Sequence, residues 1–474
     1  MHEAEVEKAM VERVGATGSS SREVDADLPS RSVHSAALRD ADNVLLLNPP
    51  VLDTRMHWAR FHQPTLLLRI ATHFRTRGRD VRLIDALDHP IDDRLKRTRV
   101  ASLDLDGTRI NKWRFGREGT ALVRDLRGLA AARWSPDAIF VACEEVFWWE
   151  GAAEMIATAR ECFPGVTIIL TGGYAERAPQ HATDIAAADI ALSDPCPEVS
   201  VLPIDLSLYP RHPRIAAVTL GAGTRSAAEI VDEMVAHRAT HGIRSFTFPE
   251  YRVASRLPSL FRAVLERIIA CDLRCTLFSL GSIAASDLIA DSELATLMRR
   301  AGHAQVYFAD DRDEPIDDYM TGAFLEATRL AIEGCHQAGF PARTDALMAT
   351  VCLGRAGEDL AARARLATSV AHHAGSVVFW PYQPSLPECP NVPLEDQNGK
   401  LFPLRTRNEA TYRTYLELLG LTTVLNAKYR THTFDFMGDA LISRMFRDSV
   451  QRRAWEPDPS VKGTVLLPAP IRRD

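Results

Sequence analysis

Long apolar runs are missing from this chain. No stretch approaches the roughly 18 apolar residues that a bilayer-spanning helix needs, and the opening residues MHEAEVEKAMVERVG interleave acids and bases where a secretory signal carries an apolar block. No membrane partner is therefore expected, and a cytoplasmic location is. An excess of positive charge is also absent. Lys and Arg number 56 against 62 Asp and Glu, a net charge of -6, so no basic field exists to gather a nucleic-acid backbone. Cysteine is sparse, with eight in 474 residues, which suits reduced thiols better than a disulfide framework. Neither a G-x-S-x-G elbow nor a Walker A loop occurs.

What is present is the composition of a chain able to build cores. Hydrophobic residues make up 46% and charged residues 25% of the 474 positions, and this length implies two or three domains. Residues 1–40, with GATGSSSREVDADLPSRS inside, lack apolar periodicity and are expected to be a flexible segment outside the fold. From Asn43, short apolar runs alternate with amphipathic stretches, the pattern of parallel strands joined by helices. NVLLLNPP, DVRLIDA, DAIFVAC, VTIILTGG and DIALS predict a five-stranded, doubly wound α/β domain over residues 41–198. Five prolines between Asp194 and Pro213 predict a linker, placed at residues 199–212. RIAAVTLG, SFTFPE, CTLFSLG, QVYFAD, ALMATVCLG and SVVFWPY predict six further strands, separated by helices, over residues 213–393. Six β/α units without a seventh or eighth predict a partial (β/α)6 barrel, and residues 394–474 predict a mostly helical C-terminal region.

Ligands of parallel α/β sheets bind outside the carboxyl ends of the strands. In the first domain those ends are Asn48-Pro49-Pro50, Asp85, Cys143-Glu144 and Thr171-Gly172-Gly173-Tyr174. A glycine pair lets the backbone approach a large ligand; it equally makes a tight βα turn, and both readings stand. In the second domain, Gly221 and Gly223 precede a helix starting near Ser226, where exposed N–H groups with Arg225 beside them are able to hold an anion or nucleotide, or where a plain turn suffices. Asp310-Asp311-Arg312-Asp313, Glu250 and Tyr251 also end strands, as loops able to meet a polar substrate or a cation. His57, His62, His372 and His373 have no convincing third partner for zinc, so no metal ligand is assigned.

The segments NVLLLNPP, LLLRIATHFRTRGRDVRLIDAL and PDAIFVACEEVFWWEGAAEMIATARECFPGVTIILTGGYAERAPQHA together resemble the cobalamin-binding domain that precedes class B radical S-adenosylmethionine enzymes. The resemblance implies cobalamin as cofactor and a flavodoxin-like first domain. It places Asn48, Pro49 and Pro50 beneath the corrin, Cys143, Glu144, Gly172 and Gly173 beside the nucleotide tail, and Trp148, Trp149 and Tyr174 in adjoining cofactor-contacting stretches. The D-x-H-x-x-G motif that supplies a cobalt ligand in other cobalamin proteins is absent, and Asp88-His89 follows the wrong strand. His57, with Trp58, lies in the correct loop and is the candidate for the lower face, beside an unligated or water-ligated cobalt.

The second domain resembles the radical S-adenosylmethionine barrel in SAAEIVDEMVAHRATHGIRSFTF, in SELATLMRRAGHAQVYF and in the turn from Leu353 to Glu358, which implies S-adenosylmethionine near Gly354 and Glu358. It departs at the loop from Leu220 to Ser226, which lacks the C-x3-C-x2-C thiolates that hold an iron-sulfur cluster. Cys271 and Cys275 mimic the spacing, with Phe278 where the third cysteine belongs, but fall after the second helix of the barrel. No iron-sulfur cluster is expected. The resemblance then implies cobalamin-dependent, non-radical chemistry such as methyl transfer on a small molecule held between the two domains. The alternatives are a non-catalytic partner of a true radical enzyme in a biosynthetic pathway, or a nucleotide-dependent enzyme using the Gly221 turn.

Overall fold

The buried strands are unbroken apolar runs, and the architecture follows from where those runs fall. A computed structural model describes residues 41–54, 63–88, 96–105, 108–192, 197–211, 213–221, 224–250, 252–308, 323–341, 346–353, 370–371 and 377–381. In β1 (Asn43–Asn48), Val44 to Leu47 have no exposed surface, as a strand covered on both faces requires. After β2 (Val51–Thr54), α1 (Thr65–Arg75) turns Leu67, Leu68, Ile70, Ala71 and Phe74 inward. Next come β3 (Asp80–Asp85), β4 (Arg97–Leu105), β5 (Thr108–Phe115), α2 (Gly119–Ala131) and the fully buried β6 (Ala138–Ala142). α3 (Trp149–Cys162), β7 (Thr167–Thr171), the short α4 (Gly173–Arg177) and α5 (Pro179–Asp184), and β8 (Ile190–Leu192) complete this half.

β3, β1, β6, β7 and β8 lie side by side in that order, all parallel. Counted among themselves the order is 2-1-3-4-5, built from the five apolar runs expected. The chain crosses from β1 to β3 on one side and later returns to β6 on the other. The carboxyl ends of β1 and β6 therefore flank the switch point where such sheets take ligands. The sequence expectation has no place for the second, smaller sheet: β2, β5 and β4 pair antiparallel. Val51, Leu87 and Phe115 form a small core under it, so β4 and β5 pair as a hairpin anchored through Phe115.

The second half alternates β9 (Ile215–Ala217), α6 (Ala227–His241), β10 (Ser245–Phe248), α7 (Val253–Arg256), α8 (Pro258–Ala270), β11 (Thr276–Ile283), α9 (Ala285–Ala290), α10 (Leu294–Ala301), β12 (His303–Phe308), α11 (Ala323–Gln337), β13 (Leu347–Leu353) and β14 (Val377–Pro381). Its six strands are parallel and adjacent in chain order from β9 to β14. The protein is thus a mixed α/β chain with two parallel sheets. No helix among the described residues is long and apolar enough to cross a membrane. The N-terminal 40 residues, the helix expected before β14 and the expected helical region after residue 393 lie almost entirely outside the described residues.

The proline-rich connection between the sheets is packed. Ile204, Leu206 and Tyr209 enter the core of the second sheet together with Leu68 of α1. Polar bonds hold α1 to both: Thr72 Oγ1 donates to the Pro203 carbonyl at 2.7 Å, Arg75 pairs with Asp205 at 2.6 Å, and the Ala217 N–H on β9 donates to Gln63 Oε1 at 2.8 Å.

Two glycines test this packing in opposite directions. A Cβ on Gly151 in α3 would overlap the Pro50 carbonyl, whereas one on Gly128 in α2 meets nothing. Urea denaturation should show Gly151→Ala destabilised by about 2–3 kcal/mol through overpacking. Gly128→Ala should be stabilised by about 0.5–1 kcal/mol, because alanine restricts the unfolded chain without a clash.

Candidate functional site

At the switch point the strand ends hold one another. Asn48, at the end of β1, donates its side-chain N–H to Asp85 Oδ1 at 2.6 Å. The Leu87 N–H reaches the same oxygen at 2.8 Å, and the Tyr209 hydroxyl donates to Asp85 Oδ2 at 2.8 Å. Asp85 is buried, and that burial pushes its pKa up to about 6 against these three bonds. Pro49 and Pro50 are buried beside it. Asn48 thus spends its amide inside the protein.

Across the switch point, Gly172 has φ +94°, and a Cβ there would stand 2.8 Å from the Cys143 carbonyl oxygen. A Cβ on Gly173 would overlap the Glu144 carbonyl. The glycine pair is therefore required to bring the loops after β6 and β7 into contact, whatever else it does. The Cys143 thiol is buried and donates to the Glu145 carbonyl at 3.3 Å, and burial with the Glu144 charge lifts its pKa far above the usual thiol range. Tyr174 is fully buried with its hydroxyl 2.6 Å from His181 Nδ1. Trp148 is half-buried against the small core under the antiparallel sheet, and the Trp149 ring lies edge-on to His181. Of the charged groups here, Glu144, Glu176 and Arg177 are exposed and Glu145 is half-buried. Arg177 donates to the Glu144 carbonyl at 2.6 Å and to the Glu145 carboxylate at 3.0 Å, and the crowding of protein around Glu144 raises its pKa despite its solvent contact.

These outward groups suit a neutral, amide-fringed macrocycle, since two carboxylates accept from amide N–H groups and a guanidinium donates to amide oxygens. His57, Trp58, Gly354 and Glu358 lie outside the described residues, as do His62, Gly223, Tyr251, His372, His373 and the acidic run from Asp310 to Asp313.

The turn after β9 is built around charge. Arg225 and Glu233 have side chains 2% and 3% exposed and pair at 2.6 Å. Arg225 Nη1 donates to the Thr219 carbonyl at 2.9 Å, and Glu233 Oε1 accepts the Ile204 N–H at 2.9 Å. Burial opposes the Glu233 charge, but the His237 hydrogen bond and Arg225 outweigh it, and its pKa is lowered. Arg69, buried on α1, donates to the Thr219 hydroxyl, and Glu250, at the end of β10, accepts the Leu220 N–H. Burial raises the Glu250 pKa. The N-terminus of α6 is closed by its own capping box, with the Ser226 N–H donating to Glu229 at 2.7 Å. Arg225 and the helix end, expected as anion donors, are therefore both occupied by the chain's own carboxylates. Sequence reasoning missed Arg69 and Glu233. The signal was there: each is a charge at a core-facing helical position, Arg69 within LLLRIA and Glu233 between Ile230, Val231, Met234 and His237.

No group of three His, Cys, Asp or Glu able to hold a metal ion is found among the described residues. Cys271 and Cys275 lie between α8 and β11, at the amino end of that strand, away from the turn after β9. No family model and no curated protein matches the chain.

Two outcomes follow from these networks. Asp85 has a folded pKa of about 6, above the usual carboxylate range, so the stabilisation belongs to its protonated form and is lost as pH rises through 6. Between pH 5 and pH 7.5, Asp85→Asn should lose about 1–1.5 kcal/mol less stability than the parent, read from paired urea curves. Arg225→Met leaves Glu233 buried without its partner and should cost about 3–5 kcal/mol, whereas the double change with Glu233→Met should recover only part of it, because the Ile204 N–H and Arg69 then lose Glu233.

Proposed function

We propose that this chain is a corrinoid-binding protein related in plan to class B radical S-adenosylmethionine enzymes, working without an iron-sulfur cluster. The observation that carries the reading is the tandem of sheets: a 2-1-3-4-5 parallel sheet with a glycine-built switch point, followed by six parallel strands in chain order. That succession matches the two halves implied by the sequence resemblance. Cobalamin would lie over the carboxyl ends of β1, β6 and β7, with Glu144, Glu145 and Arg177 at its rim. Bound there, it supplies a cobalt centre for carrying a methyl group. The loop that would hold a cluster is filled by Arg225, Glu233, Arg69 and Glu250, and the two neighbouring thiols of this half sit at the other end of the strands. This favours polar methyl transfer, with S-adenosylmethionine as methyl source, over radical chemistry.

A second reading, a non-catalytic partner that binds the corrinoid for another enzyme, is favoured by the same filling of the turn with internal ion pairs. The two are separated by one product. Incubated with hydroxocobalamin under reducing conditions and S-adenosylmethionine, the enzyme releases S-adenosylhomocysteine in proportion to bound cobalt; the partner does not.

The parent reading is tested first by reconstitution. After incubation with hydroxocobalamin and gel filtration, the protein should keep a corrinoid spectrum and about one cobalt per chain, without iron. Gly172→Val, which drives the loops after β6 and β7 apart, should lose at least tenfold in corrinoid affinity, while Cys271→Ser with Cys275→Ser should lose none. A protein that emerges colourless is not a corrinoid binder, and stoichiometric iron with sulfide would reinstate the cluster.

A further inference from the structure

His303 opens β12 with no exposed surface, and nothing in the proposed chemistry uses it. Its Nδ1 lies 3.2 Å from the Met298 carbonyl. A carbonyl only accepts, so Nδ1 carries the proton of the neutral ring and Nε2 is a bare lone pair. Nε2 is buried and has no hydrogen-bond partner. Two phenyl rings flank the imidazole: Phe248 of β10, with centroids 6.4 Å apart, and Phe261 of α8, edge-on at 6.3 Å. The ladder to β11 also slips here, since Leu277 faces His303 while Phe278 faces Gln305. Such an irregularity disrupts the ladder locally.

A second proton on this ring has to go to Nε2, where a cation would meet neither an acceptor nor a counter-charge. β10 and α8 offer phenyl rings, and α10 offers the Met298 carbonyl already in use. The charges of the surrounding elements point elsewhere. Arg262 of α8 is drawn to Asp291, and Glu326, Arg329 and Glu333 of α11 pair with one another. Cys275, before β11, keeps a neutral thiol directed at the Ala301 carbonyl. Arg300 is exposed, and Arg299 donates to the His303 carbonyl at 3.2 Å, so it repels a further cation. Burial pushes the His303 pKa down to about 4 against the Met298 bond, and among the described residues no carboxylate offsets it.

We propose that His303 is an acid trigger for the second half of the chain: a proton taken up at Nε2 favours opening of the core between β10, α8 and β12, beginning at the slipped ladder. An unfolded histidine titrates near pH 6.5. The stability that the neutral ring contributes is therefore complete above that pH and is lost as pH falls toward 4. Asp85 acts in the opposite sense at the switch point, where acid favours the folded form. Mild acid thus tightens the first sheet at one buried group and loosens the second at another.

The test compares urea curves of the full chain and of His303→Leu at pH 7 and pH 5. The ratio of their unfolding constants, parent over variant, should rise about twentyfold between the two. Groups common to both proteins, Asp85 and the buried His73 among them, cancel in that ratio. His303→Gln keeps a donor for the Met298 carbonyl and cannot ionise, so it should follow the leucine variant. At pH 5 the excess amide exchange of the parent over either variant should concentrate at Phe246, Phe248 and Val306. If neither variant folds, nitrogen-15 NMR of the parent decides: the His303 ring, assigned through its contacts with Phe248 and Phe261, should keep Nε2 unprotonated down to pH 5. A ratio that moves less than threefold, excess exchange spread evenly over both parallel sheets, or a ring that titrates near pH 6.5 in the folded protein would overturn the proposal.

Discussion

A guanidinium taken out of water has to be neutralised where it lies, and this protein does so twice at one place. Arg69 comes from a helix of the first sheet and Arg225 from the first turn of the second, and both converge on Thr219. Glu233 supplies the compensating charge, and its remaining oxygen ties down the Ile204 N–H of the connecting segment. Buried ion pairs of this kind add little net stability compared with apolar packing, but they tolerate few geometries. The network accordingly sets how α1, the connection and β9 meet. With Gln63 covering the Ala217 N–H and Arg75 bound to Asp205, the amphipathic α1 becomes a shared element of two cores.

A second tie, Tyr209 to Asp85, repeats the logic at the end of β3. It carries the connecting segment to the switch point of the first sheet. Asp85 keeps Asn48 and the turn at Leu87 in place, so the loop carrying Pro49 and Pro50 leaves β1 in a fixed direction. On the other side, Gly172 and Gly173 let two loops touch through their backbones, which turns Glu144, Glu145 and Arg177 outward. The polar groups offered to a ligand are thus few and belong to one strand-end loop and one short helix.

Both parallel sheets were legible because strands covered on two faces need unbroken apolar text, and Val44 to Leu47 or Ala138 to Ala142 supply it. The antiparallel sheet was not, because its strands are polar and break no apolar rhythm. A cue existed in Asp106-Gly107, the two residues between β4 and β5, a pairing that favours a tight hairpin. The site was legible as positions but not as roles. Asn48, Cys143 and Tyr174 stand where ligands bind in such sheets, yet each is turned to a neighbour; for Asn48 that neighbour, Asp85, lies 37 residues away and itself takes the Tyr209 hydroxyl from 124 residues away. Arg69 and Thr219 are 150 residues apart, a pairing that no local periodicity encodes.

That separation bears on how the chain assembles as it leaves the ribosome. Arg69 emerges long before Thr219 and Glu233, so the first sheet is able to close with this side chain still hydrated. Leu68, beside it, has no such refuge and waits as an exposed sticky patch until the segment with Ile204 and Leu206 arrives. Arg69 is dehydrated only once Glu233, the carboxylate whose charge acts on it, comes within reach.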